Sequence, residues 1–346
     1  MDYGLVLAGG GMRGAYQIGV WQALMEMNIK ITAIAGTSIG AINGAMFAQG
    51  DYKSAEKLWR EIRPEDIVSP STDILKDGIA DMKPLESLLR KVVNEDKIRK
   101  SPVDFGMAAF SLRDKGGICK FKSEIPHGKL IDYIMASACV PGVKARRVDG
   151  DILIDGGVSN NMPVNMLAKR NMKNIISVDI KGIGLNTDID LSGKNVIEIV
   201  FEHPETGIAE VNSDGIRRSI RSGYIGCMRA FGRIEGEKYA VISESMRMAR
   251  KTYSQKLISD LEAAAEIFDI DKYCIYSVYD LAEATLSAYR EYEKTLDSAD
   301  SAFEKILKLG DKAITSYIIR NKVNALPLFP ACRRAASAIK YFSEEK

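Results

Sequence analysis

Histidine is scarce in this 346-residue chain, which contains only His127 and His203. Neither histidine has a cysteine or a second histidine at the spacing that zinc ligands adopt, so we expect no His/Cys zinc site. The five cysteines are also scattered singly, with no C-x-x-C pair among them. That pattern favours reduced thiols in a cytoplasm over a disulfide framework. The sequence thus predicts a fold that depends on neither a metal nor disulfide bonds.

Neither sign of charge dominates the sequence. Lys and Arg number 48 and Asp and Glu 46, giving a formal net charge of +2. This small net charge gives no support for a nucleic-acid partner, which would need a basic stripe. Hydrophobic residues make up 46% and charged residues 27%, which is ordinary for a soluble globular protein and argues against general disorder. The length suits one large α/β domain with an appendage, or two domains, and leaves the oligomeric state open.

Membrane-targeting patterns are also missing. Residues 1–9 show no basic segment followed by a long apolar core, so we expect no signal peptide. No charge occurs between Lys30 and Asp51, a run that could be mistaken for a membrane span. Its glycines and polar side chains favour a buried strand, turn and helix instead. We expect a cytoplasmic protein and leave a transient, peripheral contact with a membrane surface open.

The same charge-free run contains the pattern around which we interpret the chain. Ile31 to Ala35 has the β-branched and small apolar residues of a short buried strand. It is followed by Gly36-Thr37-Ser38-Ile39-Gly40, a G-x-S-x-G, and then by small residues typical of a helix packed closely on a sheet. Between a strand and a helix, this spacing predicts a strained turn that exposes the serine hydroxyl and aims the next N–H at the same point.

A second glycine pattern precedes the first. Gly9, Gly11 and Gly14 match G-x-G-x-x-G between a predicted strand, Tyr3 to Ala8, and a predicted helix, Ala15 to Met27. Dinucleotide-binding folds use this pattern too, but they place an acidic residue about 20 positions further on to hold the ribose. The corresponding residues, 33–38, include no acid. Nucleotide binding therefore stays open as an alternative, supported by the glycine pattern but not by an acidic residue at the expected position.

Predicted strands and helices alternate over residues 3–201, which indicates a mostly parallel central sheet with helices on both faces. A hairpin with its turn at Asp149-Gly150 delivers Asp155-Gly156-Gly157 to a strand end. Residues 64–84 contain several prolines and predict a long surface excursion. After residue 202, apolar positions such as Met246, Ala249 and Tyr253 follow helical spacing. We therefore predict an α/β catalytic domain at 1–201 and a helix-rich region at 202–346 that packs on it or caps it.

A serine hydroxyl needs a base before it becomes a good nucleophile. Ser38, Asp155 and His203 occur in the order of an α/β-hydrolase triad, yet that fold places its serine turn after several strands, whereas here the turn follows the second. Both histidines lie in turn-like segments and are most simply loop residues. The alternative to such a triad is a serine–aspartate dyad.

Three motifs occur in an order that resembles the patatin-like phospholipase family. They are Gly9 to Gly14 as G-G-G-x-R-G, Gly36 to Gly40 as G-x-S-x-G, and Asp155 to Gly157 as D-G-G. Residues 136–141 and 161–163 are similar to the family's short blocks before and after the aspartate. The resemblance covers about the first half of the chain strongly and extends weakly to residues 216–224.

The resemblance implies a lipid acyl hydrolase with Ser38 as the nucleophile and Asp155 as the proton acceptor. It needs no metal or cofactor, and its substrate would be an acyl lipid. A catalytically weak lipid-binding or regulatory module that keeps the fold is the alternative. Whether the C-terminal helices gate the site or bind a membrane stays open. By the same resemblance, the remaining motif residues form the oxyanion hole (Gly10, Gly11, Met12 and Ile39) or support the turns (Gly9, Arg13, Gly14, Gly36, Gly40, Gly156 and Gly157).

Overall fold

The computed structural model describes residues 1–70, 80–188, 190–204, 206–297, 302–321 and 330–344, with the backbone alone described at 295–297, 302–309 and 321. The chain divides into two compact units, Met1–Ala230 and Phe231–Lys346.

The first unit is built on a sheet of eight strands within the described residues. The strands are β1 (Asp2–Leu7), β2 (Lys30–Thr37), β3 (Asp104–Ser111), β4 (Gly116–Phe121), β5 (Arg146–Val148), β6 (Asp151–Asp155), β7 (Asn174–Asp179) and β8 (Asn195–Val200). The order across the sheet is β8-β7-β1-β2-β3-β6-β5, and β4 pairs with β3.

Eight helices accompany this sheet within the described residues. They are α1 (Ala15–Glu26), α2 (Ile39–Gln49), α3 (Tyr52–Glu61), α4 (Lys83–Val92), α5 (Glu95–Lys100), α6 (Leu130–Ser137), α7 (Val164–Lys169) and α8 (Ser213–Ala230).

The centre of the sheet is parallel, as the alternating pattern predicts. β1 lies between β2 and β7 and is parallel to both, and β2 is parallel to β3. Helices cover both faces. α7 packs through Met166 and Leu167 on the face that presents Val6, while on the opposite face Gly44 of α2 lies against Ile34. Strands covered on both faces need near-continuous apolar residues, which explains the runs in the sequence. The predicted α/β architecture is confirmed.

The charge-free run is a strand, a turn and a helix, as predicted: it forms β2 and α2. Within the described residues, no helix combines the length and the apolar character that a membrane-spanning segment needs. The hairpin turn is also where the sequence puts it, since Asp149 and Gly150, both with positive φ (50° and 81°), join β5 to β6.

Two strands share one edge of β3, and this arrangement positions the candidate site. β2 runs along the first part of that edge, and its last residue, Thr37, pairs with Ala108. β6 runs antiparallel along the second part, and its last residue, Asp155, pairs with Ala109. β4 occupies the other edge of β3 from Gly106 to Ser111. The ends of β2 and β6 therefore meet at two consecutive residues of β3.

α1 and α8 pack at a separation that only glycine allows. A Cβ atom on Gly19 would lie 1.7 Å from the carbonyl oxygen of Ile220, and one on Gly223 would lie 1.9 Å from the carbonyl oxygen of Tyr16. Because of this packing, α8 belongs to the first unit. The sequence predicts a domain boundary after residue 201, whereas the compact units divide after residue 230.

The second unit combines helices with a small sheet that the sequence analysis does not predict. Its apolar core includes Met246 and Ala249, two of the positions with predicted helical spacing, and Tyr253 packs against that core. The chain is not helical between Ala249 and Gln255, so Tyr253 lies between two separate helices. The elements are the strands β9 (Ile234–Glu235), β10 (Ala240–Ile242) and β11 (Ile275–Tyr276) and the helices α9 (Ser243–Ala249), α10 (Gln255–Ile267), α11 (Val278–Asp297), α12 (Ala302–Asn321, non-helical at Gly310) and α13 (Pro330–Glu344).

The surface excursion predicted for residues 64–84 is partly described. A 3-10 turn at Pro64–Asp66 precedes a short antiparallel pair, Ser69–Pro70 with Ala80–Asp81. The remainder of the prediction, residues 71–79, lies outside the described residues.

We expect Gly19→Ala to destabilise the protein, because the new Cβ would collide with the α8 backbone. Overpacking of this kind costs about 1 to 3 kcal/mol of unfolding free energy, which chemical denaturation measures. Gly116→Ala is the matched control, since its Cβ would meet nothing nearer than 3.7 Å, and it should change stability by less than about 0.5 kcal/mol. Equal stability of the two variants would contradict the packing argument.

Candidate active site

Ser38 occupies a strained turn between β2 and α2. Its backbone has φ 55° and ψ −124°, a combination that residues with a side chain rarely adopt. Such strain costs about 1 to 3 kcal/mol and persists only where the surrounding structure imposes it. The side chain is largely buried at 9% exposure, at the edge where β2 ends. The sharp strand-to-helix turn predicted from G-x-S-x-G is therefore present.

The two glycines of this motif are required by close backbone contacts. A Cβ atom on Gly36 would lie 2.2 Å from the carbonyl oxygen of Gly40. A Cβ atom on Gly40 would lie 2.1 Å from the carbonyl oxygen of Leu7, in the neighbouring strand. Any larger residue at either position would force the first turn of α2 away from the sheet, so these glycines hold the turn against β1 and β2.

Asp155 is the last residue of β6 and is also buried, at 5% exposure. Its N–H donates to the carbonyl oxygen of Cys139 at 2.8 Å, and its Oδ1 accepts from the N–H of Gly157 at 2.7 Å. Among the described residues, its Oδ2 has no hydrogen-bond partner of normal geometry. A buried carboxylate oxygen without a partner is costly, so it points to a functional demand at this position.

The electrostatics of Asp155 link it to Ser38. Burial raises the pKa of the Asp155 carboxyl above its ordinary value, because the ionised form loses contact with water. Hydrogen bonding from the Ser38 side chain and from the Gly157 N–H works in the opposite direction and lowers this pKa in part. The structure therefore brings Ser38 and Asp155 together, with a carboxyl group better able to accept a proton than an exposed aspartate.

The glycine-rich loop lies against the serine turn. The N–H of Gly9 donates to the carbonyl oxygen of Asn161 at 3.1 Å, and a Cβ atom on Gly9 would lie 3.2 Å from the Cβ of Ser38. Beyond it, Gly10 and Gly11 begin a 3-10 helix, Gly11–Gly14. N–H groups in the first turn of a helix have no acceptor within that helix, and the same applies to Ile39 at the start of α2.

Met12 does not fit the expectation that its N–H contributes to an oxyanion hole. In this structure the N–H of Met12 donates to the carbonyl oxygen of Ile208 at 2.8 Å. The 3-10 turn directs this group toward the segment after β8, a contact between residues far apart in sequence. Of the predicted donors, Met12 is therefore occupied by the protein itself, which leaves Gly10, Gly11 and Ile39 for that role.

Arg13 ties two distant segments to the glycine-rich loop. Its guanidinium donates to the carbonyl oxygens of Thr206, at 3.2 Å, and of Lys181. Within the described parts of the chain, no acidic side chain forms an ion pair with it. These contacts are consistent with the expectation that Arg13 supports the turn of the glycine-rich loop.

A buried polar network joins the loop to the helices behind the site, and the sequence analysis does not predict it. The Asn43 side chain donates to the carbonyl oxygen of Gly14 at 3.0 Å and to Gln17 at 2.8 Å, and it accepts from the indole N–H of Trp59 at 2.9 Å. Gln17 in turn donates to the carbonyl oxygen of Ala8 at 2.8 Å. The available signal is one uncharged polar residue within a run of apolar and small residues in each helix, Gln17 in α1 and Asn43 in α2.

The histidines take no part in this arrangement. His127 is exposed and lies 3.0 Å from Asp96, and His203 is exposed beyond the end of β8. Neither forms a hydrogen bond with Ser38 or Asp155 within the described residues. The triad alternative considered from the sequence, with His203 as the base, is not assembled in this structure.

Among the described residues, no group of three or more His, Cys, Asp or Glu side chains is placed to hold a metal ion. The site that the first unit defines is thus a serine and an aspartate at the ends of two strands, beside a glycine-rich turn.

Comparison with known proteins relates the first half of the chain to one family. Residues 5–168 match the family described as patatin-like phospholipase. The chain is 29% identical over 245 residues to patatin-like phospholipase domain-containing protein 7 of Rattus norvegicus, covering 68% of this chain and 18% of that protein. It is 31% identical over 182 residues to an uncharacterised NTE family protein of Mycobacterium tuberculosis, covering 51% of this chain and 49% of that one.

Residues 5–168, which include Ser38 and Asp155, are therefore the part of the chain that is similar to the patatin-like phospholipase family. The chain spans about half the length, or less, of these relatives. Among solved structures, it is similar to VipD from Legionella pneumophila, with a TM-score of 0.44, 14% identity and coverage of 99% of this chain and 84% of that one.

We expect Asp155→Asn to be at least as stable as the wild type at about pH 8. Because the native pKa of Asp155 is raised, the native state binds a proton that the unfolded chain releases, so wild-type stability falls as the pH rises from the unfolded to the native pKa. The stability advantage of Asp155→Asn over the wild type should shrink as the pH falls through that window. Thermal unfolding of both proteins at several pH values measures this difference.

Asp151→Asn is the matched control at the other end of β6. A hydrogen bond from the Ser111 hydroxyl lowers the pKa of Asp151, so its carboxylate stabilises the native state above the unfolded pKa and this contribution is lost on acidification. Asp151→Asn should therefore be less stable than the wild type at about pH 8, with a deficit that shrinks as the pH falls. The same sign of effect in both variants would contradict the assigned environment of Asp155.

Proposed function

We propose that the chain hydrolyses carboxylic esters of phospholipids or other acyl lipids, with Ser38 and Asp155 as a catalytic dyad. The observation that carries the proposal is the buried Asp155 carboxylate, whose Oδ2 lacks a partner of normal geometry while the Ser38 side chain lies beside the carboxyl group. The match of residues 5–168 to the patatin-like phospholipase family supports the choice of lipid esters as substrates.

The proposed reaction has two steps. Asp155 accepts the Ser38 proton as Oγ attacks the ester carbonyl carbon, and the carboxyl group then gives that proton to the departing alcohol. In the second step, Asp155 takes a proton from water, the hydroxide attacks the acyl-serine, and Ser38 recovers its proton. The raised pKa of Asp155 suits both transfers, because it brings the carboxyl group closer to the operating pH.

The oxyanion formed in each step would be stabilised by backbone N–H groups. Gly10, Gly11 and Ile39 lie at the starts of the 3-10 helix and of α2, where the helix dipole also favours negative charge. Donors fixed at such a position contribute about 3 to 4 kcal/mol each to transition-state stabilisation. No residue of the proposed dyad or oxyanion hole requires a metal or cofactor.

We expect Ser38→Ala to lower kcat for hydrolysis by at least about 10³-fold, because the covalent intermediate can no longer form. The assay would use a short-chain acyl ester and a phospholipid, with lipid products identified by mass spectrometry. A fluorophosphonate probe should label the wild type at Ser38 and leave the variant unlabelled.

Ser177→Ala is the control, since Ser177 is a buried serine in β7 outside the proposed dyad. It should keep wild-type labelling and activity. Equal hydrolysis by the wild type and Ser38→Ala would overturn the proposal and favour a lipid-binding module instead.

A transient contact with a lipid surface is part of the proposal, as is a cytoplasmic location. The segment after β7 exposes two aliphatic side chains, Ile183 (87% exposed) and Leu185 (66% exposed). Its backbone is bonded to the residue after the D-G pair, because the N–H of Leu185 donates to the carbonyl oxygen of Gly157 at 2.9 Å. Apolar side chains held beside the dyad are suited to entering a lipid–water interface.

We expect the double variant Ile183→Ser, Leu185→Ser to bind phospholipid vesicles at least about tenfold more weakly than the wild type in flotation assays, because less apolar surface can be buried. Met25→Ser, at an exposed position of α1, is the control and should float like the wild type. Unchanged binding by the double variant, or no binding by the wild type, would remove this part of the proposal.

A further inference from the structure

The proposed reaction gives no task to residues 136–141, one of the blocks on which the family resemblance rests. Ser137 is the last residue of α6 and is fully buried, with 0% exposure. Its hydroxyl accepts a hydrogen bond from the N–H of Ser38 at 2.9 Å and donates one to the carbonyl oxygen of Ala108 at 2.6 Å. A side-chain hydroxyl therefore connects the backbone of the candidate nucleophile to strand β3.

This connection lies where regular strand pairing ends. Thr37 and Ala108 are the last residue pair between β2 and β3, and the next residue, Ser38, turns away with a positive φ. A direct backbone hydrogen bond cannot continue the pairing past this point. The Ser137 hydroxyl takes its place, because it supplies an acceptor to Ser38 and a donor to Ala108 at the same time.

The same short segment also holds Asp155. The carbonyl oxygen of Cys139, two residues after Ser137, accepts from the N–H of Asp155 at 2.8 Å. A Cβ atom on Gly156 would lie 2.4 Å from the carbonyl oxygen of Ala108, so the turn after Asp155 packs on the acceptor that Ser137 uses. The end of α6 thus fixes the backbone at both members of the proposed dyad.

We propose that Ser137 is a positioning residue for the dyad: its hydroxyl holds the Ser38 backbone in the strained turn from which the Ser38 side chain faces Asp155. The inference rests on the proposed hydrolysis at Ser38. The same two bonds argue against a role for Ser137 as a nucleophile, because its proton is directed to the carbonyl oxygen of Ala108 and its oxygen accepts from the N–H of Ser38.

Ser137→Ala leaves the Ser38 N–H and the Ala108 carbonyl without partners, so the turn can relax toward an ordinary backbone conformation. We expect kcat and the rate of fluorophosphonate labelling to fall at least about tenfold, because small displacements of a nucleophile slow the chemical step. KM should change by less than about twofold, since Ser137 is too enclosed to contact substrate. Ser137→Thr keeps the hydroxyl and should label faster than Ser137→Ala.

Ser111→Ala is the matched control, on the strand β3 that also contains Ala108. Ser111 is also 0% exposed, and its hydroxyl joins the Asp151 carboxylate to the N–H of Asp114, away from the dyad. This variant loses a comparable buried hydroxyl and should unfold at a lower temperature than the wild type. Its labelling rate should stay within about twofold of the wild type.

Labelling of Ser137→Ala at the wild-type rate, or an equal slowing in Ser111→Ala, would overturn the positioning role. A Ser137→Thr variant as slow as Ser137→Ala would do the same. If Ser137→Ala does not fold, Ser137→Cys replaces it, because a thiol is a weak hydrogen-bond partner of similar shape. Slower labelling of Ser137→Cys would then support the positioning role, and labelling at the wild-type rate would overturn it. A wild type that is neither labelled nor active would instead overturn the proposed function, and this inference with it.

Discussion

The candidate site depends on one edge of strand β3 being shared by two strands that arrive from opposite directions. β2 ends opposite Ala108 and β6 ends opposite Ala109, so the residues that follow or end these strands are neighbours although 117 positions separate Ser38 from Asp155 in the sequence. Hydrogen bonds of the sheet fix both strand ends. The serine and the aspartate are therefore brought together by backbone pairing, which a change in surface loops does not disturb.

That geometry carries costs, which the surrounding structure offsets. Ser38 holds an unfavourable backbone conformation, and Asp155 keeps a buried carboxylate oxygen that lacks a hydrogen-bond partner of normal geometry among the described residues. Residues outside active sites seldom keep such features, because each lowers stability without return. Here the cost is offset by glycine contacts at the turn and by the enclosed network around Asn43, which join the loop and the helices into one packed unit.

Much of this arrangement could be predicted from the sequence because its signals are local. The β2–turn–α2 unit follows from a run of apolar residues interrupted by G-x-S-x-G, and the β5–β6 hairpin follows from Asp149-Gly150. Local patterns report backbone conformation, since glycine is needed wherever the chain turns tightly or two segments touch. The order of the three motifs, which resembles that of one family, indicated which of these turns belong to one site.

What the sequence could not supply are contacts between segments far apart along the chain. The Met12 N–H has no local reason to be occupied, and its acceptor at Ile208 is brought to it by tertiary packing. Ser137 is a second example. In the sequence it is only a small residue in a predicted helix, and its role follows from hydrogen bonds to Ser38 and Ala108, which are far from it along the chain. A hydroxyl that bonds two backbone groups leaves no signal in the periodicity or spacing of the sequence, because its function depends on the place where the pairing of two strands ends.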